Sequence, residues 1–283
     1  MIESDQAAVA ETPTTIGFRQ IVRGLRQVGL EQKSRRVLVH ASLSTIGRVR
    51  CGAETVVAAI TAACHTVVMP AFTYQTLVVP ETGPPDNGIT YGSAADGNAE
   101  AEFWHDDLPV HPEIGAIAEQ LRRMPETLRS DHPVFSFVAH GGEAQEVLGT
   151  QSVDDPLGPI AWLEENDGDV LMIGVSHRVN TSIHLAERRA GRKTFVRWAL
   201  SKTGIVEVPH WPGNSVGFDA LAPYVASITQ RGQIGTANVQ RIRIVDLLDS
   251  VRELLLDEPE ALLTDDPSDK RSSAIRRALG ATT

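Results

Sequence analysis

The sequence predicts an α/β fold in which helices cover both faces of a parallel or mixed sheet. Three short apolar runs, at residues 37–39, 66–72 and 170–175, are rich in β-branched side chains, which is typical of fully buried strands. Amphipathic segments separate these runs, and strands that alternate with helices favour a sheet covered on both faces. The length of 283 residues allows one large core, so we predict a single domain over residues 1–283.

The N-terminal half contains two of the buried strands. Its predicted elements are a helix over 16–28, a strand over 37–39, a helix over 53–63 and a strand over 66–72. Gly29 supplies the stop signal of the first helix, and small residues at 40–47 form a loop between the first strand and the second helix. Residues 82–98 are rich in Gly, Pro, Asp and Asn without periodicity, which predicts a long loop that serves as a lid or binding wall.

The C-terminal half continues the alternation. Its predicted elements are a helix over 114–124, a strand over 136–139, a helical turn over 144–148, a strand over 170–175, a helix after residue 180, a strand over 205–208 and a helix over 242–256. Pro112 and Glu113 suit the start of the first of these helices, and Gly191 can end the helix after residue 180. We expect residues 1–13 and the polar tail at 265–283 to be frayed.

Charge and cysteine content exclude several classes of protein. With 26 basic and 36 acidic residues the net charge is −10, which argues against a nucleic-acid partner and favours a cationic one. Cys51 and Cys64 form neither a disulfide framework nor a metal-binding pattern, so we expect reduced thiols. The chain start lacks the features of a signal peptide, and no run approaches about 18 apolar residues. We therefore expect a cytoplasmic protein outside the membrane.

The most informative segment is 180–191. Asn180 or Thr181 is a suitable N-cap, which puts His184 in the first helical turn and Glu187 one turn later on the same face. The positive end of the helix dipole favours a neutral imidazole, and open α/β sheets place their sites after the carboxyl ends of strands. A neutral imidazole accepts a proton. A histidine that only hydrogen-bonds within its own helix would show the same pattern.

Two polar segments fit an anionic ligand. The loop at 40–47 offers consecutive backbone N–H groups and the hydroxyls of Ser42 and Ser44 at a strand end. Residues 129–137 combine an arginine, two hydroxyls and a histidine shortly before a strand. Neither segment contains a Gly-Lys-Ser/Thr or Gly-x-Gly-x-x-Gly motif, so an ordinary turn and a solvated surface loop remain the alternatives.

Two further patterns are disfavoured. Residues 213–217 fit the G-x-S-x-G motif of serine hydrolases, but no histidine follows His210, and Pro209 and Pro212 interrupt the preceding strand. We therefore predict a plain turn there. A metal site is disfavoured for three residues whose spacing crosses a loop, which are His177, His184 and Glu187.

Four segments occur in an order that is typical of one family. They are Val-Leu-Val-His-Ala-Ser-Leu-Ser-Thr-Ile-Gly47, Thr-Val-Val-Met-Pro70, Arg-Ser-Asp-His-Pro133 with Ser-Phe137, and Val-Leu-Met-Ile-Gly-Val175 followed by Asn-Thr-Ser-Ile-His-Leu-Ala-Glu187. With them the chain resembles the aminoglycoside 3-N-acetyltransferases, also called antibiotic N-acetyltransferases. The resemblance implies an αβα sandwich with a mixed, mostly parallel sheet. The pyrophosphate signature of the more common acetyltransferase superfamily is absent.

The resemblance also implies a reaction and a set of site residues. The family transfers acetyl from acetyl-coenzyme A to the 3-amino group of the 2-deoxystreptamine ring of an aminoglycoside antibiotic. A coenzyme A-binding homologue that acts on another amine, or that lacks aminoglycoside activity, is the alternative. His184 would be the general base, and Glu187 would orient it or serve only as a structural cap partner. Coenzyme contacts are implied for His40, Ser42, Leu43, Ser44, Ser130, His132, Ser136 and Phe137. Substrate contacts are implied for Phe72, Tyr74 and Asn180. No metal is implied, and the sequence leaves open whether the protein is a monomer or a homodimer.

One stretch departs from the family pattern. Relatives carry carboxylates in the region that corresponds to residues 206–218, where they assist the histidine or hold the cationic antibiotic. Here residues 209–218 contain neither Asp nor Glu, and His210 and Trp211 stand in their place. Either Glu207 or Asp219 compensates through a small shift, or the acceptor differs from an aminoglycoside, or aminoglycoside turnover is poor.

Overall fold

The structure is a computed structural model that describes residues 15–31, 33–93 and 95–280. Its strands are β1 (Arg36–Ala41), β2 (Thr66–Pro70), β3 (Leu77–Val78), β4 (Leu128–Arg129), β5 (Phe137–Gly141), β6 (Asp169–Ile173), β7 (Phe195–Ser201), β8 (Gly204–Trp211), β9 (Gln230–Ile234) and β10 (Ala237–Arg243). Its α-helices are α1 (Phe18–Gln27), α2 (Leu43–Ile46), α3 (Ala53–Ala63), α4 (Ala95–Ala99), α5 (Ala116–Arg123), α6 (Ala144–Gly149), α7 (Gly158–Glu165), α8 (Ser182–Arg189), α9 (Ile244–Asp257) and α10 (Lys270–Gly280). Residues 1–13, which we expect to be frayed, and residues 281–283 lie outside the described residues.

Seven strands form the central sheet, in the order β4-β5-β2-β1-β6-β10-β9. β1 pairs in parallel with β2 and with β6, whereas the strands that flank this central trio pair antiparallel. The parallel trio contains the three apolar runs of the sequence, because strands covered on both faces need apolar side chains on both faces. β3, β7 and β8 form a second, antiparallel sheet of three strands.

Helices cover both faces of the central sheet, which confirms the predicted sandwich. Side chains of β1 alternate between two cores: Val37 and Val39 join one core with Leu25 of α1, and Leu38 joins the other with Leu247 of α9. Helices α1, α3 and α5 lie on the first face, and α6 to α9 lie on the second. Within the described part of the chain, no helix is long and apolar enough to cross a membrane.

Strongly periodic elements lie close to their predicted positions. The helix predicted over 53–63 is α3, with the same bounds, and the helix predicted over 114–124 is the shorter α5. The helix predicted over 242–256 begins only at Ile244, because Ile242 belongs to β10 and pairs with Val170. The sequence did not predict α7, β7, β9 or β10.

The Gly- and Pro-rich segment at 82–98 braces the second sheet and α10. The side chain of Asn87 exchanges two hydrogen bonds of 2.8 and 2.9 Å with the backbone of Val196 in β7. Asp86 pairs with Arg277 of α10. None of the described residues of this loop lines the large cavity described below, so for them the predicted binding wall is wrong, and a lid stays a prediction.

The polar tail folds into a packed helix. Within α10, Ala274 and Ile275 are buried against the core, and Ser272 is buried with them. The expectation of a frayed tail is therefore wrong up to residue 280, because a few apolar side chains at helical spacing are enough to dock an otherwise charged helix.

Candidate active site

A cavity of about 1040 Å³ lies where the carboxyl ends of β1 and β6 meet at one edge of the central sheet. Its volume matches the upper range of small-molecule sites. Segments from distant parts of the chain line it, namely 39–44, 112–116, 178–181, His184, 210–215 and Arg271. The predicted position of the site, after the strands of the parallel trio, therefore coincides with this cavity.

His184 lies in the first turn of α8, and its imidazole, which is 10% exposed, lines this cavity. Its Nδ1 is 2.7 Å from Oε2 of Glu187 on the same helix face. When Nδ1–H donates to that carboxylate, the neutral imidazole keeps an unprotonated Nε2 that can accept a proton. Asn180 supports this turn, since its Oδ1 accepts the backbone N–H of Ser182 at 3.2 Å.

Arg192 completes a buried chain of charges behind the histidine. Its Nη1 lies 2.6 Å from Oε1 of Glu187, so both carboxylate oxygens are engaged. Its Nη2 donates to the carbonyls of Pro259, at 2.8 Å, and Ala261. The Glu187 and Arg192 side chains are only 6% and 4% exposed. Sequence reasoning missed Arg192, because Gly191 separates it from the helix and its carbonyl partners come from a distant segment.

Glu207 and Asp219, either of which was expected to replace the carboxylates that residues 209–218 lack, do not line the cavity. Glu207 and Asp219 are exposed, and Asp219 accepts the hydroxyl of Ser176 at 3.1 Å. His210 does line the cavity, in a left-handed backbone conformation with φ of 58° that is uncommon for residues other than glycine. The ring of Phe218 lies against His184, with the ring centroids 4.8 Å apart. The surroundings of the imidazole on this side are therefore aromatic rather than acidic.

One end of the cavity contains the first predicted coenzyme segment. His40, Ser42, Leu43 and Ser44 all line it, and the Ser42 and Ser44 hydroxyls are 3.1 Å apart. Burial lowers the pKa of His40 to about 3, and its Nε2 has no hydrogen-bond partner within the described residues. The loop predicted at 40–47 contains α2, a single helical turn.

The second predicted coenzyme segment lies behind the cavity wall. Its four predicted residues are buried and do not line the cavity; they are Ser130, His132, Ser136 and Phe137. The Ser136 hydroxyl donates to the Ala71 carbonyl at 2.8 Å, and His132 Nδ1 accepts the backbone N–H of Phe135 at 2.8 Å. Most of their polar atoms are used to fold the turn, whereas His132 Nε2 has no partner among the described residues. Coenzyme contact by these four residues stays a prediction. Phe135, which was not predicted, is the member of this segment that faces the cavity.

The predicted substrate residues Phe72, Tyr74 and Asn180 line the cavity. Phe72 and Tyr74 belong to an aromatic group that sequence reasoning found only in part. Trp211 joins it, with its ring centroid 4.5 Å from that of Phe135 and 6.3 Å from that of Tyr74. The aromatic residues at 209–218, the stretch that lacks carboxylates, were the sequence pattern from which this aromatic wall could have been predicted.

The geometry gives little support to a serine-hydrolase site or a metal site. Ser215 lines the cavity, but no hydrogen bond joins its hydroxyl to a histidine among residues that the structure describes. Over the same ranges, no cluster of three His, Cys, Asp or Glu side chains is arranged to hold a metal ion.

Comparison with known proteins identifies the family. Residues 38–256 match the family model of the aminoglycoside 3-N-acetyltransferases. The chain is 33% identical over 197 residues to aminoglycoside N(3)-acetyltransferase VIII of Streptomyces fradiae, covering 67% of this chain and 66% of that protein. It is 32% identical over 177 residues to the aminoglycoside N(3′)-acetyltransferase-like protein YokD of Bacillus subtilis (strain 168), covering 60% and 64%. A shorter match to aminoglycoside N(3)-acetyltransferase IV of Salmonella sp reaches 39% identity over 85 residues, or 29% of this chain and 32% of that protein. The alignments thus span from about a third to just under two thirds of these relatives.

Solved structures share the fold. The apoenzyme of aminoglycoside acetyltransferase AAC(3)-IVa superposes with a TM-score of 0.76 at 23% identity, covering 94% of this chain and 99% of that one. A structure of AAC-IIIb with CoASH superposes with a TM-score of 0.68 at 22% identity, covering 86% and 97%. The sequence match over residues 38–256 and the shared sandwich together lead to one conclusion: the chain belongs to the aminoglycoside 3-N-acetyltransferase family.

Proposed function

We propose that this protein is an acetyl-coenzyme A-dependent N-acetyltransferase in which His184 is the general base. The observation that supports this proposal best is the 2.7 Å contact between His184 Nδ1 and Glu187 Oε2, at the wall of a cavity large enough for two substrates. An amine is nucleophilic only after it has lost a proton, and a neutral imidazole held by a carboxylate is suited to take that proton.

The chemical step follows from this geometry. The acceptor nitrogen attacks the thioester carbonyl, and its proton passes to Nε2 of His184 directly or through a water molecule. The C–S bond then breaks, an amide forms, and the imidazolium returns the proton to the leaving thiolate. Glu187 stabilises the imidazolium while it exists, and Arg192 holds the carboxylate in position. Such a positioned base supplies about 10² to 10⁴ in rate.

We assign coenzyme binding to the end of the cavity that His40 and Ser42 to Ser44 line. Two hydroxyls are available there for a polar, anionic ligand, and the unpartnered Nε2 of His40 is buried in the same segment. Arg178 lines the same cavity and is exposed, with no ion pair among the described residues. These groups fit the phosphates and amides of coenzyme A, and a structure of the relative AAC-IIIb is described as a binary complex with CoASH.

The relatives' names point to an aminoglycoside amine, the 3-amino group of 2-deoxystreptamine, as the first acceptor to test. Structures of the neighbour AAC(3)-IVa are described with a gentamicin and with apramycin. A different amine is the second candidate, and the observation that favours it is the aromatic and cationic lining at residues 210–215 and Arg271.

A thiol-release assay tests the reaction. We expect acetyl-coenzyme A and a suitable amine to release free thiol, and His184→Ala to lower kcat by about 10² or more. Calorimetry should show that the variant still binds coenzyme A. His105→Ala is the matched control, because His105 is exposed on a loop away from the cavity. Full turnover in His184→Ala, or thiol release from no amine at all, would contradict the proposal.

A further inference from the structure

We infer that the acceptor is an amine that also carries an oxyanion, a carboxylate or a phosphate, which Arg271 binds while the amine lies at His184. This inference rests on the proposed acetyl transfer and concerns the substrate class of the same site. It follows from the charges and donors at the end of the cavity opposite the His40 loop.

Arg271 brings to the cavity a guanidinium whose pKa is lowered by burial and only partly restored by the charge of Asp269. It lies in the first turn of α10, lines the cavity, and forms no ion pair among residues that the structure describes. Its Nη1 lies 3.5 Å from the carbonyl of Pro212 and 3.3 Å from that of Gly213, which are long contacts that position the side chain. The nearby Asp269 carboxylate accepts backbone N–H groups at the start of α10 instead. A planar guanidinium that forms no ion pair among the described residues can bind an oxyanion.

Arg197 strengthens the positive potential at this end. Its guanidinium lies 5.4 Å from the centroid of the Trp211 ring and is 7% exposed. Its hydrogen bonds within the described residues go to the backbone carbonyls of Asn87 and Val196. Burial lowers the pKa of Arg197 to about 10, and the charge of Arg271 lowers it further. The two guanidinium groups therefore repel each other. Two cations without a carboxylate partner make this end favourable for an anion.

Tyr74 offers a second donor beside Arg271. Burial, reinforced by the charge of Glu113, raises the pKa of Tyr74 to about 12, so its phenol stays neutral. No hydrogen bond of the Tyr74 hydroxyl occurs within the described residues, although Tyr74 lines the cavity. The hydroxyl is therefore free to donate to the same oxyanion. The Tyr74 ring packs near Trp211, which in turn contacts Phe135, and these rings give the acceptor an apolar surface to lie on.

Shared wall residues connect the proposed anion site with the reacting amine. Pro212 and Gly213, whose carbonyls hold Arg271, also line a small adjoining pocket together with His184. An acceptor that spans these two residues can place an amine at the imidazole and an oxyanion at the guanidinium.

The same charges disfavour a polycation. Glu113 is the one carboxylate among the described residues that line the cavity, and it is exposed. An aminoglycoside would place several ammonium groups near Arg271 and Arg197 with a single acid to offset them. Like charges at close range in a partly desolvated site repel strongly.

Matched small amines test the inference. We would compare 4-(aminomethyl)benzoate with its methyl ester, with 1,4-bis(aminomethyl)benzene and with gentamicin in the thiol-release assay. We expect kcat/KM for the carboxylate to exceed that for the ester and the diamine by about 10-fold or more, the typical gain from a charge-assisted hydrogen bond. Arg271→Gln should remove most of this ratio, Arg271→Lys should restore part of it, and Arg271→Glu should invert it in favour of the diamine.

The control variant is Arg252→Gln, which removes an arginine of α9 that is 59% exposed and outside the cavity. It should keep the wild-type ratio. Preference for gentamicin or the diamine over the carboxylate, or a ratio that Arg271→Gln leaves unchanged, would overturn the inference while the proposed acetyl transfer stands. Thiol release from none of these amines would instead overturn the proposed function and the inference with it.

Discussion

Replacing Arg192 by methionine should damage both folding and catalysis. The substitution removes a guanidinium that contacts Glu187 at 2.6 Å and donates to the carbonyls of Pro259 and Ala261. Glu187 would remain as an uncompensated carboxylate that is 6% exposed. Breaking such a buried pair costs about 3–5 kcal/mol. For a domain of this size each kcal/mol lowers Tm by about 2–4 °C, so we expect Tm to fall by roughly 6–20 °C.

Catalysis should suffer because Glu187 loses the partner that fixes its orientation. The His184 ring then loses the anchor of its Nδ1 atom. We expect kcat to fall about 10- to 100-fold, part of the 10² to 10⁴ that a positioned base supplies. KM for acetyl-coenzyme A should change little, because Arg192 does not line the main cavity. Denaturant unfolding and steady-state kinetics measure the two effects separately.

Arg189→Met is the matched control on the same helix. Its ion pair with Glu164 has the same 2.6 Å length, but Arg189 is 45% exposed, so its loss should cost less than about 1 kcal/mol. The double variant Arg192→Met with Glu187→Gln removes both buried charges and should regain part of the stability without regaining kcat. Equal effects of Arg192→Met and Arg189→Met on unfolding and on kcat would refute the reasoning.

Other predictions concern stability. Burial lowers the pKa of His132 to about 4, below the ordinary 6.5, so the unfolded chain binds the proton first and stability falls as pH drops from about 6.5 to 4. His132→Asn should flatten this fall by up to about 1.4 kcal/mol per pH unit in urea titrations at stepped pH. Phe137→Ala empties a fully buried site and should cost about 3–5 kcal/mol in denaturant unfolding. Gly174→Ala adds a Cβ 1.8 Å from Thr45 Oγ1 at a φ of +65°, whereas Gly191→Ala at +78° meets open space. Calorimetric Tm should therefore fall more for Gly174→Ala, and equal Tm values would contradict the steric argument.

Local patterns in the sequence predicted the centre of the fold and missed its edges. The parallel trio is apolar on both faces, so its runs stand out, and α3 combines good helix formers between clear breaks. β9 exposes most of its side chains, with burial only at Ile234, so it lacks the apolar alternation of a strand. At the end of β10, Ile242 also fits the period of the following helix, which hid the boundary.

The site was predictable only where its residues are close in sequence. His184 and Glu187 lie one helical turn apart, so their contact follows from helix geometry. Arg192, Trp211 and Arg271 reach the site through tertiary packing that no local pattern encodes. The sequence also could not tell which residues of a predicted segment face a ligand: in the 129–137 segment, Phe135 faces the cavity and its neighbours face the core.

The position of α10 bears on how relatives should be sorted. The family match ends at residue 256, and Arg271 comes after it, on a helix braced by the loop at 82–98. The family match therefore depends on the part of the chain that contains His184 and the residues at the proposed coenzyme end of the cavity. The residue to which we assign acceptor choice lies outside the matched part. Two members could share the acetyl-transfer machinery and differ in their acceptors through one terminal helix, so the acceptor is better inferred from that helix than from the family match.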